Sequence, residues 1–215
     1  IGSREIDGKM YYSMGCNADI CVEGLFRVME ERAKGNRNIL IVGEANKNMP
    51  FMYGESITEP DNYDMILQGP DFDYELFGVP KDPVSIVDYM IGLYVSPLVK
   101  DGGTIQVGIG SLGDAVVAGL VMRNDHNDVY QDLLQRAGIL KRYRPLIDKI
   151  GGTGVFKEGL YGNSEMFVDA FKQLYTSGIL KRRVYDSIPI MKLLYEGYLR
   201  DDCIPDDILD RLLEM

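Results

Sequence analysis

The chain has 215 residues, 46% of them hydrophobic and 26% charged, which is enough apolar side chain for a buried core and excludes a disordered tract. With 33 acidic against 23 basic residues the net charge is −10, which argues against nucleic acid or an anionic membrane surface as the main partner but leaves room for a small anion in a local pocket. Cys16, Cys21 and Cys203 lack metal-ligand spacing and fit reduced thiols in a cytoplasmic protein, and no apolar run is long enough to span a membrane.

In chain order, residues 18–34 carry Ile20, Val22, Leu25, Val28 and Met29 at helical spacing, with Gly35 placed to end the helix. The β-branched run 38–43 reads as a buried strand of a parallel sheet, and residues 44–50 leave it through polar, turn-forming side chains. Residues 54–83 are rich in Pro and Asp and read as irregular, with 77–83 as an inter-domain linker. A helix is expected over 85–99, broken or tightened near Pro97.

After the turn Asp101-Gly-Gly, a strand over 104–110 runs into Gly108 and Gly110, and a helix follows over 112–122. Residues 124–150 are polar and basic with helical patches at 129–137 and 143–150, and read as an insertion on the sheet. A short strand is expected over 155–161, a helix over 164–175 closed by Gly178, an undecided strand or loop over 184–190, and helices over 191–199 and 208–213. The alternation indicates an α/β fold with a mainly parallel sheet and flanking helices.

The segment 101–116, DGGTIQVGIGSLGDAV, carries the most chemical information. Glycines at a strand end let a ligand approach the backbone, and N–H groups at a helix start attract anions. The spacing Gly108, Gly110, Gly113 matches GxGxxG, but no acid stands at the end of a second strand about twenty residues on, as a dinucleotide site requires. A tight packing turn explains the same glycines. Gln106 reads either as an edge-polar residue or as an amide beside the pocket. Glu165, after a Gly-Asn-Ser turn, reads by itself as an acid in a helix's first turn.

Three segments in the same order resemble the acetyl-CoA hydrolase/transferase family, which includes acetate- and 4-hydroxybutyrate-type CoA-transferases. Residues 101–116 resemble its DGxTLQxGIGxxPDAV, with Gly113 for the usual proline; residues 41–50, IVGEANKNMP, resemble xxEVNxxMP, with Ala45 for valine; and residues 164–169, SEMFVD, resemble SEMxxDG, with Ala170 for glycine. The resemblance covers about residues 1–120 and 155–185, and 124–153 looks like the insertion of longer bacterial members.

What the resemblance implies is a CoA-transferase-like (NagB/RpiA-like) fold. Residues 1–82 would be the C-terminal part of a first domain, and 83–215 the N-terminal part of a second. The family transfers CoA between an acyl-CoA such as acetyl-CoA and a small carboxylate, or hydrolyses acyl-CoA. Its nucleophile falls on Glu165, which forms an acyl–glutamyl anhydride and then a glutamyl–CoA thioester. Its pocket residues fall on Gln106, Gly108 and Gly110, with Asn46 as a further pocket residue or a turn cap. CoA is a substrate, no metal or permanent cofactor is implied, and a homodimer is left open. The missing initiator Met and the helical pattern at Met215 read as a cut piece of a longer enzyme, with the activity of the piece alone left open.

A different class remains beside it, a non-catalytic α/β nucleotide- or CoA-binding or interaction module. His126, the only histidine, lies in a polar loop without an adjacent Ser or Cys motif and reads as solvated. The basic clusters 141–144 and 181–183 read as solvated faces or as contacts to CoA phosphates. Asp206 and Asp207 read as helix-start acids rather than, with Asp202, as metal ligands.

Overall fold

Asp7 and Gly8 take left-handed φ values of 50° and 77° and make the turn between strand β1 (Gly2–Ile6) and antiparallel strand β2 (Lys9–Ser13). An Asp-Gly pair is a standard primed-turn sequence, because both positions need positive φ to follow the twist of the strands. The hairpin comes from a computed structural model, which describes residues 1–15, 18–35, 38–78, 81–164, 166–200 and 203–214. Contacts group the chain into two units: Ile1–Pro83 with Gly108–Ser111 and Ser164–Asp169, and Val84–Val107 with Leu112–Asn163 and Ala170–Met215.

In the first unit, helix α1 (Asp19–Ala33) turns Val22, Leu25, Val28 and Met29 inward, while Ile20 of the expected stripe stays 79% exposed. Gly35 closes the helix at φ 71°, its N–H reaching the Arg32 carbonyl. Strand β3 (Val42–Glu44) is shorter and later than the expected 38–43. The Asp64 carboxylate takes the N–H of Ile41 at 2.7 Å and is itself held by both terminal nitrogens of Arg32, so ladder pairing begins only past Ile41. Strand β4 (Ile57–Thr58) adds to β2 antiparallel, and β5 (Met65–Leu67) pairs with β3 in parallel, two strands inside the stretch expected to be irregular.

In the second unit, Ser85 and Asp88 form a reciprocal capping box at the start of helix α2 (Ile86–Val95). Pro97 sits in the 3-10 turn Ser96–Leu98 that ends it, as expected. Strand β6 (Thr104–Gln106) leads to helix α3 (Ser111–Asp125), which is longer than the expected 112–122. A Cβ on Gly92 would lie 2.3 Å from the Ala115 carbonyl oxygen, so α2 and α3 meet backbone to backbone at that glycine.

The stretch expected to be an insertion with helical patches holds helices α4 (Asn127–Arg136) and α5 (Ile139–Ile150). Tyr130, Leu134, Ile139 and Ile147 are buried against Leu93 of α2 in one apolar cluster of the unit. Their apolar stripe is masked in the sequence by the basic residues between them. Strand β7 (Tyr161–Asn163) replaces the strand expected over 155–161, and helix α6 (Asp169–Thr176) starts later than the expected Ser164. Ser187 caps helix α7 (Ile188–Tyr195), which resolves the undecided 184–190 stretch, and helix α8 (Ile208–Leu213) lies where expected.

The class is mixed α/β with small sheets. The pairs β3–β5 and β6–β7 are parallel, whereas the largest sheet among the described residues, β1–β2–β4, is antiparallel. No helix among these residues is long and apolar enough to cross a membrane.

Candidate functional site

Strands β6 and β7 run parallel with Thr104 opposite Tyr161, Ile105 opposite Gly162 and Gln106 opposite Asn163. The Val107 N–H continues the ladder to the Asn163 carbonyl at 3.4 Å. The glycine turn and the SEM segment therefore leave the pair from the same, carboxyl end. In open α/β sheets that end is where ligands bind. Gln106 is exposed there, and Val107 behind it is buried.

The glycines after β6 differ from one another. Gly110 has φ 120°, a backbone that a side-chain-bearing residue rarely adopts. Gly108 has no such φ, and a Cβ built on it meets no described atom within 4 Å. Neither backbone strain nor packing among the described residues demands a glycine at 108. Helix α3 begins at Ser111, directly after the turn.

Beyond β7 the Ser164 hydroxyl donates to the Met166 carbonyl. Glu165, the residue on which the resemblance places the nucleophile, lies outside the described residues, as do Cys16 and Asp202. The acid in the first turn of α6 is Asp169, whose carboxylate is 3.0 Å from the Lys81 ammonium.

Asn46 is buried, and both ends of its amide are engaged. Its Nδ2 donates to the Tyr74 carbonyl at 2.9 Å and its Oδ1 accepts the Asn48 N–H at 2.8 Å. Asn48 Nδ2 joins it on the Tyr74 carbonyl, and the Lys47 N–H goes to the Asp73 carboxylate, so loop 44–48 is fastened to residues 73–74. Within its unit Asn46 caps and ties this loop. The structure thus brings Gln106 opposite Asn163 in one unit and places Asn46, Gly108 and Gly110 in the other.

Two residues escaped the sequence reading. Asp101, read only as a turn residue, accepts backbone N–H groups from Gly102 and Gly159 on Oδ1 and from Lys157 and Glu158 on Oδ2. Burial pushes its carboxyl up, and these N–H groups outweigh burial and hold it below its usual value. Arg123, the first residue of the polar stretch 123–128 around His126, is buried in the last turn of α3. It donates to the carbonyls of Ser96, Val99 and Gly154 and lies over the Phe156 ring at 4.2 Å. Burial lowers its pKa, yet a guanidinium stays charged. An Asp before Gly-Gly signals a turn, but three of its four partners lie more than fifty positions away, where no local pattern reaches.

Of the basic clusters, Lys181 donates to the Phe156 carbonyl upstream of β7, and Arg182 donates to Gly103 O and Thr104 Oγ1 at the start of β6. Arg144 pairs with Asp148 on α5. His126 is exposed at the start of α4, as expected. Asp207 stands at the N-cap of α8 and accepts from Tyr198. Among the described residues no strand stands where the ribose acid of a dinucleotide site would lie, since α3 is followed by α4 and α5 and the next strand is β7.

The chain is a mixed α/β protein in which the parallel strands β6 and β7 are followed by the glycine turn and by the segment after Asn163. No family model matches the chain. It is similar to the 4-hydroxybutyrate coenzyme A transferase of Clostridium kluyveri, 33% identical over 88 residues, which is 41% of this chain and 19% of that protein. It is also similar to the succinyl-CoA:acetate/propanoyl-CoA:succinate CoA transferase of Fasciola hepatica, 30% identical over 114 residues, which is 49% of this chain and 23% of that protein. Among solved structures, RipA from Yersinia pestis superposes with a TM-score of 0.53 at 19% identity over 83% of this chain and 31% of RipA, a likeness of fold. The curated relatives are CoA-transferases, in agreement with the resemblance carried by the three segments, and the matches span 19% and 23% of their lengths.

Proposed function

We propose that this chain carries the nucleophile-bearing part of a CoA-transferase that moves CoA between an acyl-CoA and a small carboxylate. In this reading the Glu165 carboxylate attacks the thioester carbonyl, giving an acyl–glutamyl anhydride and CoA thiolate. The thiolate attacks the glutamyl carbonyl, the acyl carboxylate departs, and a glutamyl–CoA thioester remains. An acceptor carboxylate reverses these steps, leaving a new acyl-CoA and the free Glu165 carboxylate. Water in place of the acceptor gives hydrolysis.

The observation that carries this reading is the register of β6 with β7, which sends the glycine turn and the SEM segment from one strand-pair end. A carboxylate is a weak nucleophile and needs a positioned, partly desolvated setting. Gly108, unconstrained by its own fold, leaves room for CoA to approach the backbone. N–H groups of this turn suit a developing oxyanion. The engaged amide of Asn46 gives it the role of shaping loop 44–48.

The test is intact-protein mass spectrometry after incubation of the full-length protein with acetyl-CoA, followed by peptide mapping. A CoA adduct on Glu165, discharged by a carboxylate acceptor and abolished in Glu165→Ala with CoA binding retained, is the expected result. No adduct in the wild-type protein would leave a CoA-binding or interaction module.

A further inference from the structure

Strands β6 and β7 have three residues each, too few to specify their own register by pattern. A one-residue slip in a strand turns every side chain to the opposite face. Something outside the ladder must hold Gln106 opposite Asn163, and the structure places it just upstream of both strands.

The Asp101 carboxylate gathers four N–H groups: Gly102 at 3.1 Å and Gly159 at 2.9 Å on one oxygen, Lys157 at 2.8 Å and Glu158 at 3.2 Å on the other. Both oxygens are used, so the loop is fixed in translation and in rotation. The Gly102 N–H also reaches the Gly159 carbonyl at 2.9 Å, and the Tyr161 N–H reaches Gly103 at 3.1 Å, which starts the ladder. A Cβ on Gly159 would lie 2.7 Å from the Ile179 carbonyl oxygen, so the clamped loop has no slack on its other side. Glu165 follows Gly159 by six positions in the sequence.

We infer that Asp101 is a positioning residue for the reaction at Glu165, a register clamp that sets where the segment after β7 begins. The inference rests on the function proposed above. Asp101 stands at the opposite end of β6 from the glycine turn and acts through β7 rather than on substrate. A misplacement of about 1 Å at a reacting group costs on the order of 100-fold in rate. Loss of the clamp should therefore appear in the chemical step and spare binding.

The experiment compares wild type with Asp101→Asn and Asp101→Glu in the full-length protein, by single-turnover formation of the Glu165–CoA adduct, KM for acetyl-CoA and hydrogen exchange over 157–164. Asn sets an NH2 against two N–H donors, and Glu moves the carboxylate by one methylene with its charge kept. Faster exchange, adduct formation slowed by roughly 100-fold, and KM within about 2-fold are expected in both. Wild-type adduct rates in a folded variant would overturn the clamp and leave the proposed function standing. Equal loss in kcat and affinity would reduce Asp101 to a general stabiliser and also overturn it. If Asp101→Asn fails to fold, Asp101→Glu decides by the same criteria. A wild-type protein that forms no adduct removes the reaction, and the inference falls with it.

Discussion

Gly108 and Gly110 stand two positions apart, and one substitution at each separates a ligand role from a backbone role. At Gly110 the φ of 120° makes any side chain costly whatever binds nearby, by about 1–3 kcal/mol. At Gly108 no described atom lies within 4 Å of an added Cβ, so the fold tolerates alanine there. Alanine even restricts the unfolded chain, worth about 0.4–1 kcal/mol of stability. Gly108→Ala is expected to keep or raise the melting temperature and to weaken CoA binding about tenfold, as calorimetric titration would read. Gly110→Ala is expected to lower stability in denaturant melts. CoA affinity unchanged in Gly108→Ala would show that this glycine is not there for ligand approach. GxG spacing in the sequence marks both positions alike; only the backbone angles and the open space tell them apart.

At the scale of elements, helices were more legible than strands, for physical reasons. The capping box Ser85–Asp88 and the Pro97 stop are local and define α2 by themselves. Strands β3 and β7 were placed a few residues early because two carboxylates, Asp64 and Asp101, take the N–H groups just upstream of them. The Asp7-Gly8 turn is local too, since Asp-Gly is a primed-turn sequence. Arg123 was hidden because its polar neighbours look like a loop, while its partners are carbonyls that no side-chain pattern records. It joins the end of α2 and residues 152–156 to α3. Arg123→Met keeps much of the apolar stem and removes the guanidinium from Ser96, Val99 and Gly154, of which the Ser96 carbonyl keeps the Val99 N–H. A part-buried carbonyl that loses its partner costs about 1–3 kcal/mol before water replaces the donor, and the Phe156 ring loses its cation as well, so a loss of roughly 1–3 kcal/mol is expected. Urea unfolding checks it, and a loss below about 0.5 kcal/mol, the range of ordinary surface changes, would mean that water replaces the guanidinium.

Over the whole molecule, what the sequence carries furthest is the resemblance of three separated segments to one family, which no single fold element expresses. Its excess of acid has a consequence of its own. Asp64 is held below its usual value first by Arg32 and then by the Ile41 N–H, and Asp73 first by the Lys47 N–H and then by the Lys47 side chain. In Asp101 burial raises the carboxyl, and the loop N–H groups outweigh it and hold the group below its usual value. A carboxyl whose folded pKa lies below its unfolded value near 3.9 stabilises the fold above that value and loses the contribution as pH falls through the folded pKa. Stability should therefore be flat from about pH 5 to 8 and decline below about pH 4. Relief of the −10 net charge on acidification acts in the opposite direction and is screened by salt. Bonds from Asp101 to backbone N–H groups are not long-range charge pairs, so the acid decline should survive about 0.5 M salt, where surface repulsion is largely gone. Thermal melts by circular dichroism from pH 7 to 2.5, at low and high salt, read this directly. Asp101→Asn, whose amide does not titrate, should flatten the decline; an identical slope in the variant would show that the clamp contributes nothing to the acid limit of the fold.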